Sequence, residues 1–363
     1  MRTLPKLPVL LVVLALAAAA CSSSEATEST TTTDATSTSA DATTTTTDAT
    51  TSSSEATTTT TLLPEIPGTI NGLPADSDDL INRRVVGVKI DNHAQARPQS
   101  GIQIADAVYE ILVEGGITRF IALFHQTDSD YVGPNRSGRP TDSKVMRPLN
   151  GVFQISGAQP WVQDIFAKDG VHVSYDTGAT TWRMPHNAAP HNLYTSTLKI
   201  REYADGRGWP DEAPPQLFVY GYEPTPVVDD ATKISFDWSD HTPVNWEWDG
   251  EQYLRFNGTT PHEWIDEDGQ RGQISADQLV VIKGRKSIMS SPTGSGSSVP
   301  TTETIGSGEA LVFHSGGVLD ATWERESITD VIRLVDADGN DIILSPGRIW
   351  VNIFPTSSTV TWE

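Results

Sequence analysis

The residues best equipped for chemistry are concentrated between Asp91 and Pro140. The stretch opens with Asp91-Asn92-His93-Ala94-Gln95-Ala96-Arg97-Pro98-Gln99-Ser100-Gly101 and continues through Tyr109-Glu110-Ile111-Leu112-Val113-Glu114-Gly115-Gly116-Ile117-Thr118-Arg119. It closes with Gly133-Pro134-Asn135-Arg136-Ser137-Gly138-Arg139-Pro140. Such residues fill a core poorly but fix a backbone around a polar ligand well. Arg136 and Arg139 stand three apart on a loop stiffened by prolines, so their guanidiniums can converge on one carboxylate or phosphate, each in bidentate fashion. Gly138 between them would let backbone N–H groups approach the same anion. The competing reading is internal, with these arginines paired to Glu110, Glu114 or Asp91. Arg97 and Arg119 fit either arrangement. The ligand-binding set expected from the sequence is Asn92, Arg97, Glu110, Glu114, Arg119, Arg136, Ser137 and Arg139.

Other chemistries find weaker support. Glu110 and Glu114 could divide proton-donor and proton-acceptor roles. That division needs one carboxyl raised by burial, which neighbouring arginines oppose, so counter-ions are the preferred reading. His93, His186 and His191 with Asp91 match no metal-ligand spacing, and neither a metal nor another cofactor is expected. Ser100, Ser137 and Ser156 lack a Gly-x-Ser-x-Gly context. No catalytic residue is assigned. Trp246, Trp248 and Trp264 could stack on a sugar ring, although aromatic side chains in a β-rich region more often form core.

The elements that must position these residues can be read in outline. Val85 to Ile90 is short and β-branched, a buried strand ending in Asp91-Asn92-His93. Ser100-Gly101-Ile102-Gln103 has capping-box form, which predicts a short helical turn over 102–106. Ala107 to Val113 alternates as a strand does, with a helix as the competing assignment. Gly115-Gly116 separates it from Ile117–Phe124, which predicts a β-hairpin with a two-residue primed turn. That register would pair Glu114 with Ile117 and Leu112 with Arg119, leaving Arg119 between Glu110 and Glu114 on one face. A helix is predicted over 160–168 and another over 196–204, with irregular chain over 176–195. From Gln216 onward, short apolar runs separated by turn residues predict antiparallel strands. Ser287 to Thr304 reads as an exposed loop.

Length and composition set the frame. Of the 363 residues, Met1 to Ala20 has the charged start, apolar stretch and small-residue end of a secretory signal. Its apolar run is shorter than the roughly 20 residues a membrane span needs. Cys21 follows directly and is the single cysteine, so lipidation of its thiol (palmitate included) is expected and an intramolecular disulfide is excluded. Ser22 to Thr61 is almost wholly Ser, Thr, Ala, Asp and Glu, a composition that cannot offset the entropy of ordering. As a coil it would reach on the order of 35 Å. The formal charge of −22 argues against nucleic acid as partner, so any anion must be met by a local arginine cluster.

The fold class expected is α+β. A mixed N-terminal α/β domain over 84–210 would precede a mostly antiparallel β domain over 216–363. Before them come a signal peptide with lipobox over 1–21, a disordered tether over 22–61 and a lead-in over 62–83.

Several spaced motifs resemble the YerB-type family of bacterial lipoproteins, a domain of unknown function with N-terminal and C-terminal halves. They are Asp91-Asn92-His93 with Arg97–Gly101, Tyr109-Glu110, Glu114–Phe120 and Gly133–Pro140. They continue in Pro190-His191-Asn192-Leu193-Tyr194 and in Gly339, Leu344, Pro346-Gly347, Trp350 and Pro355. Asn135 departs from the pattern, which favours an apolar residue there. The resemblance spans about Val85 to Pro355. It implies an extracytoplasmic protein held to the cell membrane by lipid and implies no reaction. The leading expectation is a binding module for an anionic cell-envelope ligand or protein partner. The alternative is an enzyme acting on cell-wall material with Glu110 or Glu114 as acid/base.

Overall fold

In Val86–Asp91 the alternation of side chains puts Val86, Val88 and Ile90 on one face of a strand and Gly87, Lys89 and Asp91 on the other. The computed structural model describes residues 67–239 and 243–363 and places this strand, β1, well inside the molecule. The expected signal, Cys21 and the Ser/Thr-rich tether lie outside the described residues. β1 pairs antiparallel with β3 (Thr118–Phe124), which pairs antiparallel with β2 (Ala107–Leu112). On the other side of β1 lie β4 (Val152–Gln154) and β5 (His172–Ser174), both parallel.

Beyond β2 the same sheet continues with strands from the far end of the chain. β13 (Ile349–Pro355) runs parallel to β2 and to β9 (Gln278–Gly284). β10 (Gly306–His314), β11 (Gly317–Arg325) and β12 (Arg333–Val335) follow as an antiparallel meander. With a short strand at Asp229–Asp230 the sheet has eleven strands. A second, antiparallel sheet contains β6 (Lys233–Asp237), β7 (Pro243–Trp248), β8 (Tyr253–Asn257) and β14 (Thr359–Trp362).

Two hydrophobic cores flank the large sheet. Tyr109, Ile111, Ile121 and Leu123 share one with Val145 and Met146 of α1 (Pro140–Met146) and Trp161, Val162 and Phe166 of α2 (Pro160–Asp169). Val88, Ile90, Val108, Phe120 and Ala122 share the other with Ile234, Phe236, Trp246 and Tyr253 of the second sheet. Ile200 and Ala204 of α3 (Thr197–Gly206) join this second core. The fold is α+β, dominated by strands.

Several local expectations change. The Gly-Gly hairpin has a three-residue turn over Glu114–Gly116, with Gly115 and Gly116 at φ +73° and +70°. Val113 N–H donates to Ile117 O, and the ladder sets Leu112 opposite Thr118 and Ile111 opposite Arg119. The register is therefore one residue from the predicted one, and a one-residue shift turns a side chain to the opposite face. Arg119 leaves the face of Glu110 for that of Lys89 and Asp91. The 102–106 turn is a short 3-10 segment at Ile102–Ile104 without the expected side-chain cap. Ser100 instead pairs its backbone with Gly133. Residues 176–195, expected to be irregular, contain a hairpin of Thr181–Arg183 with Leu193–Thr195. The expected 287–304 loop is a hairpin of Lys286–Met289 with Val299–Thr302, with Val299 fully buried. The Trp246 indole is also fully buried, against Trp350, which removes it from a sugar-stacking surface.

Candidate functional site

The loop bearing Arg136 and Arg139 is sewn to the end of β1. Asp91 N–H donates to Pro134 O, Arg136 N–H to Lys89 O and Asn135 N–H to Leu193 O. Arg136 O in turn accepts from Ser156 N–H. Rigidity of this loop comes from these bonds to distant segments as well as from its prolines. Asn135, where an apolar residue was expected, is fully buried and donates from Nδ2 to Val132 O at 3.3 Å.

Four cations gather on this face: Lys89, Arg119, Arg136 and Arg139. Three carboxylates answer them. Lys89 Nζ lies 2.6 Å from Asp142 Oδ1, both side chains fully buried. Burial, against the pull of Asp142, brings the Lys89 ammonium down to about 8. Asp142 Oδ2 also accepts the Arg139 backbone N–H at 2.7 Å, which fixes the start of α1. Arg139 Nε donates to Glu114 Oε2 at 2.6 Å. Burial alone would raise the Glu114 carboxyl, but the hydrogen bond and charge of Arg139 outweigh it and hold Glu114 below the usual range. Asp91 Oδ2 sits 3.0 Å from Arg136 Nε and 2.7 Å from His191 Nδ1. The Arg136 contact is ionic and off-axis, so Nε forms no hydrogen bond. His93 stacks on His191 with ring centroids 4.7 Å apart.

Arg119 is the least provided for. It is only 6% exposed, its Nη1 donates to Ser137 O at 2.8 Å, and its Nε is buried with no partner. Burial, then the charges of Arg139 and Arg136, lower it to about 10 against the pull of Asp91. Arg136, with a 24% exposed side chain, has terminal nitrogens that carry no hydrogen bond among the described residues. Ser137 contributes its carbonyl to Arg119 and Arg139. Its hydroxyl lies 3.4 Å from that of Ser156. Gly138 does not present a backbone cradle. Its N–H donates to Gly157 O, and a Cβ there would stand 2.8 Å from the Phe166 ring. The glycine is required by packing against α2.

The remaining expected residues lie across the sheet. Glu110 is fully buried and accepts from Thr118 Oγ1 at 2.6 Å, Arg255 Nη2 at 2.7 Å and Trp350 Nε1 at 2.9 Å. Asn92 donates to Thr118 Oγ1 at 2.8 Å and accepts from Arg97 Nε at 3.0 Å. Asn92 and Glu110 are thus internal counterparts with no surface for a ligand, contrary to the expected set. Sequence reasoning missed Arg255, fully buried with its guanidinium 5.3 Å from the Phe120 ring centroid and 5.5 Å from that of Trp350. It also missed His262, whose Nδ1 meets Arg255 Nη1 and whose Nε2 lies 2.7 Å from Gln99 Oε1. Burial and then Arg255 push the His262 imidazole well below its ordinary value, so it is neutral with Nε2 donating. A lone arginine in an alternating strand gave no local sign of this role.

The eight expected residues therefore form two groups on opposite faces of one sheet. Arg119, Arg136, Arg139, Glu114 and Ser137 are together; Asn92, Arg97 and Glu110 are apart from them. Among the described residues no cluster of His, Cys, Asp and Glu could hold a metal ion, and no helix is long and apolar enough to cross a membrane.

Comparison with known proteins agrees with this architecture. "Putative lipoprotein YerB" of Bacillus subtilis strain 168 is 26% identical over 296 residues, covering 80% of this chain and 87% of that protein. The crystal structure of the YerB protein from Bacillus subtilis superposes with a TM-score of 0.70 at 24% identity, covering 82% of this chain and all of that one. The model described as the N-terminal domain of a protein of unknown function (DUF3048) matches residues 70–210, and its C-terminal counterpart matches residues 233–351. Two models in the right order, together with a relative of similar length and the same fold, show that the chain belongs to the DUF3048 family of proteins of unknown function.

Proposed function

We propose that this chain is an extracytoplasmic lipoprotein, anchored through lipid on Cys21, that binds an anionic component of the cell envelope at Arg119 and Arg136. The observation that carries the reading is a surplus of positive charge with unspent donors. Lys89, Arg119, Arg136 and Arg139 face Asp91, Glu114 and Asp142; the terminal nitrogens of Arg136, on a side chain 24% exposed, carry no hydrogen bond among the described residues, and the unpartnered Nε of Arg119 lies buried. A buried guanidinium with an unmet N–H is costly unless something completes it. In a chain of formal charge −22 that surplus stands out against the general field. The relative's name and the Ala-Ala-Ala-Ala-Cys21 sequence support the anchor.

The enzymatic alternative loses its candidates. Glu110 is sealed by three donors, and Glu114 is held ionised by Arg139. The binding reading is tested by passing a muramidase digest of cell wall over the immobilised full chain. Wild type should retain anionic fragments and Arg136→Ala should release them at much lower salt. Equal retention by a folded Arg136→Ala protein refutes the proposal.

A further inference from the structure

The structure carries a hollow that is separate from the Arg136 cluster and on the opposite face of the sheet. It has a volume of about 350 Å³ and lies between the Arg97-Pro98 corner and the turn at 257–263. Arg97, Asn257, Thr260, His262 and the Glu263 carboxylate supply its polar lining, Pro98 and Pro261 its apolar walls. That volume falls within the range of small-molecule sites. The two segments are tied together, since Gln99 bridges to Trp264 and Ile265 N–H donates to Gln99 O at 2.9 Å. The hollow therefore sits where the N-terminal and C-terminal family segments meet.

We propose that this hollow binds a carboxylate carried by a small ligand, either a peptide chain end or an acidic sugar. Arg97 spends Nε and Nη2 on Asn92, each at 3.0 Å, and keeps Nη1 without a partner among the described residues. Asn257 accepts from Arg255 Nη1 at 3.2 Å through Oδ1, which leaves Nδ2 as its donor, again without a partner among the described residues. Both residues line the hollow, and two unspent N–H donors match in number the two oxygens of a carboxylate. A phosphate would call for more donors than these. The neighbouring charges point the same way. Arg97 and Arg255 share Glu110, and burial followed by Arg255 lowers Arg97 to about 10 against the pull of Glu110 and Asp91. His262 is already occupied on both nitrogens, and the lining carboxylate of Glu263 has its charge matched by Arg271 at 3.1 Å.

Calorimetry on the full chain in detergent would use N-acetyl-Ala-Ala, its C-terminal amide, glucuronate and inorganic phosphate as probes. At least one carboxylate should bind, with the amide at least tenfold weaker. Binding by N-acetyl-Ala-Ala alone identifies a chain end, and binding by glucuronate alone identifies a sugar acid. Arg97→Ala should weaken binding at least tenfold. Thr260→Glu, at an exposed position that leaves the core untouched, should do the same by repulsion. Arg136→Ala should leave this binding unchanged, so failure here is separable from failure of the proposed envelope-ligand site. Four results overturn the inference: neither carboxylate binds, the amide equals the acid, phosphate binds more tightly than both acids, or Thr260→Glu binds as wild type.

Discussion

Replacing Glu110 by Gln should be among the most damaging isosteric changes available to this fold. The carboxylate is fully buried, as is Arg255, and their closest approach is 2.7 Å. An amide keeps the shape and can still accept from Thr118 or Trp350, but it removes the charge that neutralises Arg255. Stripping one partner from a buried ion pair costs about 3–5 kcal/mol because the other charge is left unmatched. The aromatic rings around Arg255, at 5.3 to 5.9 Å, offset part of that loss, at roughly 0.5–2 kcal/mol for a cation–π contact. A net loss of about 3 kcal/mol is therefore expected. Adding Arg255→Met removes the stranded charge and should recover about 2 kcal/mol, since an apolar replacement of a whole buried pair is often neutral. The assay is urea unfolding of the full chain followed by tryptophan fluorescence, with the midpoint read at constant slope. Glu110→Gln within about 1 kcal/mol of wild type, or a double variant no more stable than the single, would refute the buried-pair argument.

Three further predictions follow from the same geometry. Lys89 is lowered from 10.5 to about 8, so between those pH values the unfolded chain binds more protons than the folded one and stability should rise with pH. Wild type should accordingly gain on Lys89→Met between pH 8 and 10 in urea midpoints, and a flat difference would contradict the shift. Gly138→Ala forces a Cβ to 2.8 Å from Phe166 and should cost about 1–3 kcal/mol of overpacking, read by thermal melting. Cys21→Ser should move the chain from the membrane fraction to the soluble fraction of fractionated cells; continued membrane retention would exclude a lipid on this residue.

Much of this protein was written locally. The alternation in Val86–Asp91 and Ala107–Leu112, the Gly-Gly turn and the arginine-bearing loop each declare themselves within a few residues. The apolar start with Cys21, the threonine-rich segment and the acidic balance are properties of composition and need no partner. Side-chain period and turn chemistry act over short spans, which is why they are legible.

Which residues meet was decided by long-range pairing. One extra residue in the Glu114–Gly116 turn moved Arg119 to the face of Lys89 and Asp91 and left Glu110 on the other. Glu110 then found its counter-ion 145 positions away in Arg255, and a second donor 240 positions away in Trp350. Neither partner has a local pattern that marks it, because a charge is neutralised by whatever the fold brings within a few ångströms. The sequence could supply the inventory of guanidiniums and carboxylates; the sheet, by separating its two faces, divided them into a partly open cluster and one built around the sealed Glu110–Arg255 pair.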